Sequence, residues 1–162
     1  MHARATLPVL PHRLDALLRG PAAEGVALLA ARAGLAAVFW SSGRTKVVEG
    51  TWLQASDTTR LLFASEYAGV PLPPALAATL ATYAEFFLPL LLVLGLGTRF
   101  AALGLLGMTA VIQAFVYPDA WRVHLVWAAL GLVLLSRGGG VFSLDALVRR
   151  GMRGGASRRN PN

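Results

Sequence analysis

Apolar positions along the chain gather into four long runs, Gly25–Gly43, Pro74–Gly97, Phe100–Tyr117 and Trp121–Ser136. Each is near the length that crosses a bilayer, and continuous Ala and Leu content favours helix over strand, since an isolated strand edge leaves backbone groups unpaired in lipid. Pro73 and Pro74 mark the start of the second run and Gly95–Gly97 its end, Pro118 stops the third, and Gly138–Gly140 closes the fourth. At ~1.5 Å per residue the fourth run is slightly short for a ~30 Å core, which puts Asp119, Arg122 and His124 in the interface. The short second and third links predict an up-down-up-down arrangement. In the longer first loop, Arg44–Pro73, residues Asp57 to Tyr67 predict a short helix capped by Ser56 or Asp57, with Leu61, Leu62, Phe63 and Tyr67 on its apolar side. The expected fold is an all-α membrane protein, a four-transmembrane-helix bundle with a short extra helix in the first outer loop.

Two charges interrupt the apolar runs, Arg32 in the first and Glu85 in the second. A charge at membrane depth costs at least a few kcal/mol unless it meets a partner or a wet cavity. Counted at the helical rise, Arg32 lies about 12 Å from the start of its run and Glu85 about 18 Å from the end of its own, within about one turn in depth. An Arg32–Glu85 ion pair is therefore expected, with Ala77 and Ala81 on the face of Glu85 allowing close helix approach. One reading of that pair is a lock on helix register. The other adds Lys46, Tyr83, Gln113, Tyr117 and His124, which with Glu85 form an outward-opening polar pocket whose donors suit a quinone carbonyl. In it Glu85 and His124 are the candidates for proton transfer. Pro89 leaves the Glu85 carbonyl without its helical partner and predicts a local kink.

Composition narrows the class. Hydrophobic residues are 56% of the chain and charged ones 14%, and mean hydropathy is +0.58, so a soluble domain is short of surface charge. The net charge of +7 sits in flanks and tails with no basic-aromatic groove, which argues against nucleic acid. There is no cysteine, so disulfides, thiolate metal sites and dithiol relays are excluded, and three histidines are too few for haem or a histidine-rich metal site. No nucleotide motif occurs either. Arg4, Arg13, Arg19, Arg99, Arg137, Arg149, Arg150, Arg153, Arg158 and Arg159 fall on one side of the four runs, and Arg44, Lys46, Arg60 and Arg122 on the other. That imbalance predicts cytoplasmic termini and an outer Arg44–Pro73 loop. Trp40, Trp52, Trp121 and Trp127 fall near the outer ends, as an aromatic belt requires. Residues 1–24 read as a cytoplasmic tail without a cleavable signal, 25–148 as the membrane domain and 149–162 as a basic cytoplasmic tail.

An ordered set of motifs runs through residues 25 to 148: Arg32-Ala-Gly-Leu with Phe39, Gly43 and Lys46; Ala81-Thr-Tyr-Ala-Glu85 with Pro89 and Leu94-Gly-Leu-Gly-Thr-Arg99; Val111-Ile-Gln113 through Tyr117-Pro-Asp-Ala-Trp121 and His124; and Ser143-Leu-Asp145. The set resembles the DoxX family. Gly138–Gly140 departs from it, where relatives often carry a proline. The resemblance implies a small bacterial-type inner-membrane protein associated with redox systems, with quinone or quinol as ligand and a redox enzyme as protein partner beside the lipid bilayer. Two classes of function stay open: a quinone-linked subunit of an oxidoreductase, and a non-enzymatic anchor or small-solute or proton transporter. Four short helices make a thin wall, so transport requires a homo-oligomer.

Overall fold

In a computed structural model, residue 17 and residues 19–158 are described, with side chains described through Met152. Most of the expected N-terminal tail, and the side chains of the basic tail beyond Met152, lie outside the described residues. Four helices are long and apolar enough to cross a membrane: α1 (Pro21–Lys46), α3 (Pro74–Leu94), α4 (Thr98–Phe115) and α5 (Trp121–Arg137), the last extended at its start by a 3-10 turn, Pro118–Ala120. The short α2 (Asp57–Ala64) lies between α1 and α3, and α6 (Leu144–Arg158) follows α5. Among the described residues there is no strand, only an isolated bridge between Val47 and Ala55.

The helix ends follow backbone chemistry. Pro21 occupies the first turn of α1, where its missing N–H costs nothing, with Glu24 at the positive end of the helix dipole. So α1 begins four residues before the apolar run does, and it continues through Gly43 to Lys46. The C-terminus of α3 closes on Gly95 in the left-handed conformation at φ 67°, and the Leu96 N–H reaches back to the Leu91 carbonyl at 3.0 Å. The Ser56 hydroxyl caps α2 by accepting the Thr59 N–H at 3.1 Å.

Neighbouring spans run antiparallel. Along α1, Arg32 lies against Gly95 and Gly43 against Glu85, so α3 descends as α1 rises. Phe39 meets Trp127 on α5, and Gly131 of α5 meets Leu106 of α4. The four spans close a ring around Leu28, Leu35, Phe39, Leu92, Leu105 and Leu134, with Ala31, Ala36, Ala101 and Ala102 letting the backbones approach. Outward, Leu29, Leu80, Phe87, Phe100, Leu103 and Leu125 are exposed. Such a continuous apolar surface is tolerable only against lipid.

The helix α6, Leu144–Arg158, reaches into the residues expected to form the basic tail. Its start is built from side chains near the last apolar run: the Ser143 hydroxyl accepts the Ala146 N–H at 3.2 Å. Asp145 then ties α6 to the α3–α4 link. Its carboxylate accepts the N–H groups of Gly97 at 2.8 Å and Thr98 at 3.0 Å, and its own N–H bonds the Gly95 carbonyl at 2.9 Å. Burial alone would raise the Asp145 carboxyl, but the Thr98 and Gly97 amides and the Arg149 charge hold it below the ordinary carboxylate range.

Two outcomes follow from these contacts. In Gly43→Ala the new Cβ would stand 2.9 Å from the Glu85 Cβ and 3.2 Å from its carbonyl oxygen. Backbone at that distance cannot swing away, so thermal unfolding in detergent should register a loss of about 1–3 kcal/mol. For Asp145→Ala the expected cost is about 1–2 kcal/mol at pH 7. Because the folded carboxyl titrates lower than the unfolded one, its contribution is complete above roughly pH 4 and disappears as pH falls through the folded value. Wild type and variant should therefore converge in stability in acid; a gap that widens there would contradict the cap.

Candidate functional site

Glu85 lies in the middle of α3 and is 3% exposed. Its partner is Lys46, the last residue of α1. The ammonium Nζ stands 2.8 Å from Oε2 and 3.0 Å from Oε1, and it also donates to the Ser42 hydroxyl at 2.7 Å. The Ser42 hydroxyl in turn donates to Oε1 at 3.2 Å. Ser42 and Lys46 are one helical turn apart on one face of α1, so both reach inward to the same carboxylate. The Lys46 backbone is pinned as well, its carbonyl accepting the Ser56 N–H at 2.9 Å and the Thr59 hydroxyl at 2.8 Å. The loop after α1 thus holds α2 and the lysine in one arrangement.

Arg32 does not take the role expected of it. It is 1% exposed, and its Nη2 donates to the Phe142 carbonyl at 2.7 Å beside Gly95, at the other end of α3. The expected Arg32–Glu85 pair is corrected to Lys46–Glu85 for a geometric reason. Gly43, eleven residues beyond Arg32 on α1, is the residue that faces Glu85. At the helical rise that separates the two charges by about 16 Å, beyond the reach of an arginine. Arg32 instead holds the α5–α6 link against the bundle.

Around the Lys46–Glu85 pair is a cavity of about 400 Å³. Ala77, Ala81 and Glu85 form its α3 wall, Gly107, Met108 and Val111 its α4 wall, and His124 and Trp127 its α5 wall. Phe63 and Tyr67, from α2 and the segment after it, pack on Ala77 and Ala78 and close one end. There the Tyr67 hydroxyl meets the Tyr117 hydroxyl at 3.0 Å. The spacing of Ala77, Ala81 and Glu85 thus opens a cavity wall rather than a contact with Arg32.

Of the residues singled out from sequence, Lys46, Glu85, Tyr117 and His124 line this cavity. Gln113 stands behind His124, its Oε1 2.7 Å from the imidazole Nδ1. Tyr83 lies apart: 45% exposed, it stacks near Phe87 with ring centroids 6.2 Å apart. Residues two positions apart on a helix, such as Tyr83 and Glu85, point some 200° apart, so closeness in depth to Glu85 does not give a shared face. His124 is buried within the bundle, at 4% exposure. The 3-10 turn lengthens the fourth span to Pro118–Arg137. Trp127 likewise belongs to the interior, its ring 5.5 Å from Phe39 and 5.0 Å from His124. Trp40 and Trp52 cluster with Phe86, and the Arg44 guanidinium covers Trp52 at 5.0 Å.

Ser42, Tyr67 and Met108 were missed. Ser42 carried a signal, since it precedes Lys46 by one helical turn. Nothing in spacing brings Tyr67 to Tyr117. No group of His, Asp or Glu side chains suited to a metal ion occurs among the described residues.

Removing one member of a buried pair leaves an uncompensated charge. Glu85→Leu should cost about 3–5 kcal/mol, and Lys46→Met combined with Glu85→Leu should recover most of it. Thermal unfolding of the two single variants and the double variant measures this, and additive losses would mean the side chains are independent.

Residues 27–118 match the family model described as DoxX. An uncharacterized protein of Haemophilus influenzae (strain ATCC 51907 / DSM 11121 / KW20 / Rd) is 29% identical over 135 residues, 78% of this chain and 86% of its own length. No solved structure matches. With a family match across more than half of its length and four helices of membrane-spanning length, the chain belongs to the DoxX family of membrane proteins.

Proposed function

We propose that this protein is a redox-associated membrane subunit that binds a quinone or quinol headgroup in the cavity beside Lys46 and Glu85. The cavity itself carries the reading. Its volume of about 400 Å³ falls within the ~300–1,000 Å³ of small-molecule sites, and its walls combine apolar side chains with a few convergent polar groups. Trp127, Met108 and Phe63 suit a flat ring, and His124 and Tyr117 suit its oxygens. The outermost α2 and the Tyr67–Tyr117 contact form the gate through which a headgroup would pass. Such a ligand carries the electrons, and a partner enzyme supplies or removes them. The chain's own residues bind the ring, exclude water around it and fix its oxygens. The orientation with both termini cytoplasmic, in a bacterial-type inner membrane, belongs to the same proposal and is supported by the excess of arginine beyond the ends of the bundle.

The test uses Gly107, which lines the cavity and whose added Cβ would meet nothing within 4 Å. Gly107→Leu should fill the cavity without strain, and leucine favours helix over glycine by nearly 1 kcal/mol. Protein purified in mild detergent should retain quinone that organic extraction recovers. The variant should lose most of it at equal or higher thermal stability. Absence of quinone from wild type after addition of a short-chain analogue, or equal retention in the variant, would leave the anchor or transport role as the better account.

A further inference from the structure

The polar groups of the cavity are not neutral toward the oxidation state of what they hold. Gln113 sits between the Pro118 carbonyl, 2.7 Å from its Nε2, and the His124 Nδ1, 2.7 Å from its Oε1. A carbonyl oxygen only accepts, so the amide nitrogen must face Pro118. That fixes the amide oxygen toward the histidine, and an amide oxygen also only accepts. His124 must therefore donate from Nδ1. In the neutral imidazole the other nitrogen, Nε2, is then a lone-pair acceptor. No described residue bonds Nε2. His124 lines the cavity while Gln113 does not, so the Nε2 edge is the one left for a ligand.

The donors of the cavity, by contrast, are either engaged or indifferent to oxidation state, since the Trp127 indole N–H can meet a carbonyl or a hydroxyl oxygen alike. The Lys46 ammonium donates to the Ser42 hydroxyl at 2.7 Å and to Glu85 Oε1 at 3.0 Å, with Glu85 Oε2 at ion-pair distance, 2.8 Å. The Ser42 proton goes to Glu85. Tyr67 and Tyr117 share one of their two hydroxyl protons and leave one over. That phenolic proton can meet either a carbonyl or a hydroxyl oxygen and does not discriminate. The lone pair of His124 does.

We propose that the cavity selects ligands carrying a ring hydroxyl, the reduced quinol form over the quinone, because His124 Nε2 is held as an acceptor by Gln113. Gln113 is the positioning residue and His124 the one that touches the ligand. A quinone carbonyl placed at Nε2 sets lone pair against lone pair. The inference rests on the headgroup-binding reading of the cavity and adds its specificity.

Two measurements test it. Nitrogen-15 NMR of histidine-labelled protein in detergent, with His124 assigned by its loss in His124→Leu, should show the neutral tautomer protonated at Nδ1. In Gln113→Leu it should relax toward Nε2 protonation. This readout needs no ligand, and an Nε2-protonated ring in wild type overturns the proposal. The second is anaerobic titration with a short-chain quinol and its quinone. One hydrogen bond made rather than opposed is expected to favour the quinol by roughly tenfold. His124→Leu and Gln113→Leu should shrink that ratio toward one by weakening quinol binding, while Gly107→Leu weakens both forms. Equal affinities, or a tighter quinone, overturn the specificity and leave the headgroup reading standing. Failure of both forms to bind removes both.

Discussion

A carboxylate in the middle of a membrane-spanning helix has to be compensated, and the contact between Glu85 and Lys46 is the one that the rest of this structure serves. The lysine comes from the end of α1, where its stem runs along apolar surface and its head turns inward. The same contact demands that α1 and α3 approach closely, which Gly43 permits. It demands that Lys46 be fixed, which the Ser56 and Thr59 bonds to its carbonyl achieve. Pro89 removes the amide that would otherwise engage the Glu85 carbonyl, and that carbonyl faces Gly43.

The two ends of the bundle are built differently. At one end Arg32, Phe142, Ser143 and Asp145 tie the connections together through backbone groups. At the other, α2 is tied to the end of α1 through the Lys46 carbonyl, while Phe63, Tyr67 and Tyr117 close the cavity by side-chain contacts. A region held by few backbone bonds opens more readily than one tied through its amides. In the proposed function, ligand entry belongs at the tyrosine end and Arg32 to the scaffold.

The spans and the polar residues were legible in the sequence because each has a local signature: an apolar run, a charge inside it, a proline or glycine at its end. Pairing was not. Arg32 and Lys46 both lie near the first run, and choosing between them required knowing that α1 starts at Pro21 and brings Gly43 level with Glu85. Tyr83 failed for a related reason, since depth is read from residue number but direction depends on a 100° step per residue. Ser143 and Asp145 were visible as part of a motif. Their work as a helix cap and an interhelical tie depends on backbone amides at Gly97 and Thr98, which spacing does not reveal.

The central claim is that Glu85 is an ionised carboxylate held by Lys46. Infrared difference spectroscopy of wild type against Glu85→Gln, with Lys46→Met as a control, addresses it directly. The account predicts that Glu85→Gln removes a carboxylate stretch from the wild-type spectrum, and that Lys46→Met converts that stretch to the carbonyl band of a protonated acid. A protonated-acid band already assigned to Glu85 in wild type, unchanged by Lys46→Met, would contradict it.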